Sequence, residues 1–174
     1  MKEYISVFDY AHVILNSVKK GVLLTTKSGD CVNTMAISWG TLGVEWRKPV
    51  FITFVRGCRH TKRMLDEAQE FTVNIPLEDI DPNIISFCGT KSGRDVDKIR
   101  ALGLTTEQPD VIGTPGIRQL PLTLECRVVY SQQQIPQCMS GEEVKGHYPE
   151  DSNNIHDDYH TAYYGEIVSA YIIR

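Results

Sequence analysis

Two short segments carry the residue types most suited to binding chemistry. The first is Asn33-Thr34-Met35-Ala36-Ile37-Ser38-Trp39-Gly40, which alternates small polar and apolar residues and ends in an aromatic and a glycine. The second is Arg56-Gly57-Cys58-Arg59-His60-Thr61, which sets two possible cations, Arg59 and His60, beside a hydroxyl. A strand with backbone edges and small hydroxyls can hold a flat polar heterocycle. An Arg/His/Thr cluster can hold a phosphate, because guanidinium offers a planar fork of donors. Thr61 also stands where a helix is expected to begin, and the free amides of a helix N-terminus favour an anion. The two segments together suit a phosphorylated planar cofactor, and flavin mononucleotide (FMN) fits best.

These residues must be positioned by strands. Residues 22–27 and 31–37 are β-branched runs joined by Ser28-Gly29-Asp30, a hairpin signal. Residues 50–55 form a third apolar strand with Pro49 at its start, where a missing amide is tolerated. Residues 70–75 form a fourth, stopped by Pro76, and Leu122, Leu124, Cys126, Val128 and Tyr130 alternate as a half-buried strand does. Residues 162–173 close the chain as a strand.

Helical spacing appears in residues 6–19, at Val7, Tyr10, Ala11, Ile14, Leu15 and Val18, with Ser6 as a cap and Gly21 as the stop. Residues 61–69 read as a short helix. Ile84, Ile85 and Phe87 suggest another, broken by Gly89 and Gly93, and residues 95–102 a further short piece. Residues 105–116 read as a loop. Residues 136–158 are polar without periodicity and read as a long loop or lid. The strands come as hairpin-like neighbours with little room for parallel crossovers. The expected fold is therefore mainly β, an antiparallel barrel with peripheral helices, in one domain spanning 1–174.

Bulk properties narrow the function classes. The chain has 174 residues, a formal net charge of -4 and no basic stripe, which argues against nucleic acid as a partner. No segment approaches the ~20 apolar residues of a membrane span. The five cysteines, Cys31, Cys58, Cys88, Cys126 and Cys138, include no C-x-x-C and read as reduced thiols, so the expected location is the cytoplasm. Neither G-x-G-x-x-G after the first strand nor a P-loop is present. His147, Asp151, His156, Asp157, Asp158 and His160 form a His/Asp-rich tract, but their spacing matches no metal-binding pattern, and no metal site is expected.

The order of segments resembles the flavin reductase-like family of FMN-binding split barrels, in its flavoredoxin branch. The resemblance rests on the strand from Val22 to Thr26, the run Asn33 to Trp39, the run Arg56 to Thr61, and Phe71-Thr72-Val73-Asn74-Ile75-Pro76. It continues through Ser92-Gly93-Arg94-Asp95-Val96-Asp97-Lys98 and His160 followed four residues later by Gly165-Glu166-Ile167-Val168-Ser169-Ala170-Tyr171. The resemblance implies a homodimer of antiparallel split β-barrels with one FMN per subunit near the interface.

It places Asn33, Thr34, Met35, Ala36, Ile37, Ser38 and Trp39 along the isoalloxazine and ribityl chain. Arg59, His60 and Thr61 fall at the phosphate, with Arg56 as a further cation, and Ser92, Gly93 and Lys98 border the flavin. His160 falls near the nicotinamide or the flavin edge, as the catalytic candidate. The implied activity is hydride transfer from NAD(P)H to bound FMN, and electrons onward to a small-molecule or protein acceptor. The alternatives are an FMN electron carrier reduced by a protein partner and used without NAD(P)H, a barrel that binds haem instead, and a pyridoxamine-type oxidase. The chain departs from the family at Lys20-Gly21, where the family often has proline, and over residues 137–158.

Overall fold

The computed structural model describes residues 1–149 and 158–174. The segments in chain order are β1 (Lys2–Tyr4), α1 (Ala11–Lys20), β2 (Val22–Ser28), β3 (Cys31–Ile37), β4 (Gly40–Glu45) and β5 (Lys48–Arg56). They continue as α2 (His60–Ala68), β6 (Glu70–Ile75), α3 (Pro82–Thr90), α4 (Lys98–Ala101), β7 (Thr106–Glu107) and β8 (Gly116–Ile117). The last are β9 (Leu122–Gln133), α5 (Gly141–His147) and β10 (His160–Ile173), with a turn of 3₁₀-helix at Pro136–Cys138 before α5.

One antiparallel sheet runs β3-β2-β6-β9-β10-β5-β4, with β1 added to β10, and β7 pairs with β8 in a small second sheet. The 14-residue β10 is the spine. It pairs with β9 along its length, with β5 from His160 to Glu166, and with β1 from Tyr171 to Ile173. Strand alternation sends Val22, Leu24, Phe51, Val55, Phe71, Val73, Leu122, Leu124 and Tyr163 inward, all fully buried. A second apolar cluster of Leu23, Ile84, Cys88, Leu104, Ile117 and Leu120 lies where α3 covers β2 and β3. Asn74 ties the interior together: its amide donates to Thr25 Oγ1 and Thr72 Oγ1, each at 3.1 Å, and its carbonyl accepts from Ile117 N at 2.8 Å.

The mainly antiparallel architecture agrees with the sequence reading, and four local details differ from it. α1 starts at Ala11, because the Asp9 amide closes a turn on Ser6 O at 3.1 Å before the helix forms. Its stop is Gly21, at φ 114°, where a Cβ would also lie 2.7 Å from Ile85 Cγ2. β4 and β5 form a hairpin that the sequence does not announce: its two turn residues, Trp46 and Arg47, sit at φ 51° and 62°, where Asn-Gly is usual.

The third and fourth details concern short elements. The expected loop at 105–116 contains β7 and the start of β8. The expected loop at 136–158 contains α5, whose Ser140 Oγ accepts from Glu143 N at 3.3 Å, a capping arrangement. Asp151, His156 and Asp157 of the His/Asp tract lie outside the described residues. No helix among the described residues is long and apolar enough to cross a membrane.

Candidate functional site

β3 ends the sheet path, so one of its edges has no strand partner among the described residues. Lys98 Nζ donates to Thr34 O at 2.9 Å on that open side. In an antiparallel strand alternate residues point their N–H and C=O the same way, so the backbone of Ala36 also faces away from β2. A cleft of about 360 Å³ runs along this edge, lined by residues 35–39, Phe54, Arg56, Arg59, Gly146, His147 and His160. A second cleft of about 350 Å³ is lined by Asn33, Thr34, His60, Gly93, Arg94 and Lys98, among others.

The N-terminus of α2 lies between the two. Arg59 is its N-cap, in extended backbone, and no side chain caps the first amides. Lys62 N bonds back to Arg59 O at 3.1 Å, so among the described residues the N–H groups of His60 and Thr61 are the ones open to an anion. Guanidinium groups surround it. Arg59 reaches Gly89 O at 3.3 Å, Arg94 donates to Cys58 O at 3.0 Å, and Arg56 donates to His147 O at 2.6 Å. His60 Nδ1 is buried without a hydrogen-bond partner among the described residues. Burial, then the charges of Arg63, Arg94 and Lys98, hold the His60 pKa below its ordinary value. The imidazole is thereby kept neutral among cations.

Several candidate side chains are engaged inside the protein. Thr34 is fully buried: its hydroxyl bonds Thr25 Oγ1 at 3.1 Å and its carbonyl accepts from Lys98 Nζ at 2.9 Å. Asn33 donates to Thr61 Oγ1 at 2.8 Å, a buried bond that fastens β3 to α2. Met35 and Ile37 are buried, whereas Ser38 and Trp39 are exposed on the cleft. Lys98 is 5% exposed; its ammonium bonds Thr34 O and Cys88 O, and burial lowers its pKa. Ser92 Oγ accepts from Arg94 N at 3.2 Å, shaping the loop that carries Gly93. At Gly93 a Cβ would stand 2.1 Å from Asn33 Oδ1 and 2.9 Å from His60 Cδ2, so only glycine lets this loop close on β3 and α2.

His160 opens β10 opposite Arg56 of β5. Its ring packs on Trp39 with centroids 4.6 Å apart, and Trp39 meets His147 edge-on at 5.1 Å. Trp39 is thus a cleft wall, not a core residue. Burial, then the neighbouring Arg56, push the His160 pKa down to about 4 against the opposing pull of Asp158. At neutral pH the imidazole is uncharged. Its Nδ1 lies 2.5 Å from Tyr148 Oη.

The sequence reading omits four residues of this region from its candidates. Arg94 stands inside the Ser92-to-Lys98 segment and is visible there as a cation. Tyr148 and Gln134 reach His160 only through the fold. Asp158, whose carboxylate accepts from Cys58 N at 2.7 Å, braces the turn between β5 and α2. Among the described residues, no three His, Cys, Asp or Glu side chains converge as metal ligands.

Residues 15–174 match the model of the flavin reductase like domain, and the chain belongs to that family. An uncharacterised protein of Archaeoglobus fulgidus is 26% identical over 132 residues, covering 73% of this chain and 67% of that one. The fold is similar to that of the flavoredoxin of Desulfovibrio vulgaris (Miyazaki F), at TM-score 0.67 and 21% identity over 88% of this chain and 69% of that one. The flavoredoxin from Methanosarcina acetivorans is similar at TM-score 0.65 and 24% identity, covering 88% and 68%. An FMN-binding domain of a flavin reductases-like enzyme from Shewanella baltica OS155 is similar at TM-score 0.68 and 13% identity, covering 99% and 77%. These likenesses establish a split-barrel fold.

Proposed function

We propose that this member of the flavin reductase like family is an FMN-dependent oxidoreductase that takes hydride from NAD(P)H and passes electrons to a small-molecule or protein acceptor. The observation that carries the reading is the open backbone edge of β3 beside the cation-ringed N-terminus of α2. The residues fit the cofactor. A buried His60 nitrogen without a partner among the described residues, the His60 and Thr61 amides at the helix start and three nearby guanidinium groups suit a phosphate dianion. The close approach at Gly93 makes a smooth wall against Asn33 and His60.

In this reading Arg59, with the backbone of His60 and Thr61, holds the phosphate, and Arg94 and Arg56 add charge. Ala36 presents backbone N–H and C=O to the ring edge, and Ser38 its hydroxyl. Asn33, Thr61 and Lys98 act behind the pocket by fixing β3, α2 and the 92–98 loop. Trp39 and His160 form the wall where a nicotinamide stacks and exclude water from it. Bound FMN supplies reversible acceptance of a hydride at N5, so the protein needs no nucleophile and contributes orientation and electrostatics. The proposed assembly is a homodimer, supported by the exposed Trp46 and Tyr130, whose rings flank Tyr164, and by the exposed Val44 of β4.

The test is an absorption spectrum of the purified protein with FMN, followed by anaerobic addition of NADH or NADPH. Bound oxidised flavin shows bands at roughly 370 and 450 nm, a property of the cofactor. Bands that bleach rapidly support the proposal. Bands that persist with both nucleotides but bleach with dithionite overturn the NAD(P)H step and favour a carrier reduced by a protein partner. No bands after adding FMN overturns the cofactor itself.

A further inference from the structure

Tyr148 follows α5 directly and is held firmly. Its amide donates to Val144 O at 2.8 Å, its ring packs against Tyr159 with centroids 4.7 Å apart, and the Arg56 guanidinium lies over it at 5.3 Å. Its hydroxyl lies 3.0 Å from Gln134 Oε1 and 2.5 Å from His160 Nδ1, and the His160 backbone also hydrogen-bonds to it. A phenol has one proton to give. Gln134 Oε1 has none, so Tyr148 donates there. The short contact to Nδ1 then requires that the imidazole supply the proton. The Gln134 backbone is held beside His160, because its main-chain N–H donates to His160 O at 2.8 Å.

We infer that Tyr148 is a positioning residue that holds His160 as its Nδ1–H tautomer, leaving Nε2 as a hydrogen-bond acceptor for an N–H of the bound ligand. Resting on the function proposed above, that N–H is the primary amide of the nicotinamide. His160 thus accepts from the nucleotide and does not donate to it.

The surroundings support an uncharged donor. Arg56, Arg59 and His147 face the ring from β5, the α2 cap and α5, with Asp158 opposing them. A cationic ligand group is repelled there, and a proton on Nε2 is disfavoured for the same reason. A neutral amide meets neither obstacle. Trp39, packed on the imidazole, limits ring rotation that would exchange the two nitrogens.

The experiment uses the full chain labelled with ¹⁵N-histidine, without cofactor, at pH 7. Long-range ¹H–¹⁵N correlation distinguishes protonated from bare ring nitrogens, and His160→Gln assigns the signal. The expected wild-type spectrum shows His160 protonated at Nδ1. Tyr148→Phe converts it to a mixture dominated by Nε2–H. Should that variant fail to fold, Gln134→Leu makes the same test, because it releases the Tyr148 proton to Nδ1. A wild-type Nε2–H tautomer, or a tautomer unmoved by the variant, overturns the inference.

In steady-state assays Tyr148→Phe raises KM for NAD(P)H by roughly 2- to 12-fold, the loss of one ordinary hydrogen bond, with FMN affinity unchanged. An unchanged KM overturns the assignment of Nε2 to the nicotinamide amide. A wild-type protein that NAD(P)H does not reduce overturns the proposed function and the nicotinamide with it, while the spectrum still decides the tautomer.

Discussion

Gly93→Ala tests how the site is built. The added methyl would stand 2.1 Å from Asn33 Oδ1, 2.8 Å from Asn33 Cγ and 2.9 Å from His60 Cδ2. Asn33 cannot swing aside freely, because it is 8% exposed and donates to Thr61 at 2.8 Å. Relief comes by pushing the 92–98 loop outward or by breaking the Asn33–Thr61 bond. Overpacking costs ~1–3 kcal/mol, and an unsatisfied buried polar group costs ~1–3 kcal/mol. Some of each gives about 2–4 kcal/mol, or a Tm lower by about 5–15 °C for a chain of this size. FMN affinity falls in parallel, since Asn33, His60 and Thr61 all border the proposed phosphate site.

Differential scanning calorimetry and flavin titration read the two effects. Gly43→Ala is the control, with nothing within 4 Å of its new Cβ; a change beyond ~0.5 kcal/mol is not expected there. Adding Asn33→Ser to Gly93→Ala removes the clashing amide, and the double variant recovers ~1 kcal/mol or more relative to additivity. A Gly93→Ala protein with wild-type Tm and flavin affinity refutes the close approach and the site reading built on it.

Arg59→Ala weakens FMN binding by ~1.5–3 kcal/mol, the range for a charged hydrogen bond, read by fluorescence titration; unchanged affinity removes Arg59 from the phosphate site. His160 lowers stability in acid, because its folded pKa of about 4 lies below the ordinary 6.5. Between those values the unfolded chain binds more protons, so the contribution is intact above pH 6.5 and is lost as pH falls through that window. Discounted for partial exposure the loss is about 1–2 kcal/mol, and urea unfolding at pH 7.5 and 4.5 should show a smaller acid loss in His160→Gln. Glu125 is fully buried and accepts from the amides of Asp110, Val111 and Ile112 at 2.7, 2.8 and 3.3 Å. Glu125→Gln turns a donor toward those donors and costs about 2–4 kcal/mol in chemical denaturation.

What could be read without coordinates follows from the range of the forces involved. The β2–β3 hairpin carries its turn and its alternation within the sixteen residues from Val22 to Ile37, and Pro49 and Pro76 mark strand ends locally. β1 is a strand only because β10 lies beside it. β4 ends in a turn of Trp46 and Arg47, whose left-handed backbone has no local signature. α5 buries none of its residues, so no apolar stripe betrays it; the spacing of Ser140 and Glu143 is its one sequence mark.

The site divides along the same line. Residues 33–39 and 56–61 are contiguous, so their chemistry is visible as a string. Which atoms of that string face the cleft depends on sheet order. Thr34 looks like a hydroxyl donor until β3 is known to be an edge strand. Its side chain then points to Thr25 inside the barrel, and its carbonyl is what reaches outward, to Lys98. The same logic makes His160 legible as a residue but not as a tautomer. Its charge and hydrogen-bonding sense are set by Arg56, Tyr148 and Gln134, which approach from β5, from the end of α5 and from beyond β9. Residue type is a local property of the chain, whereas the protonation and direction that chemistry requires belong to the fold.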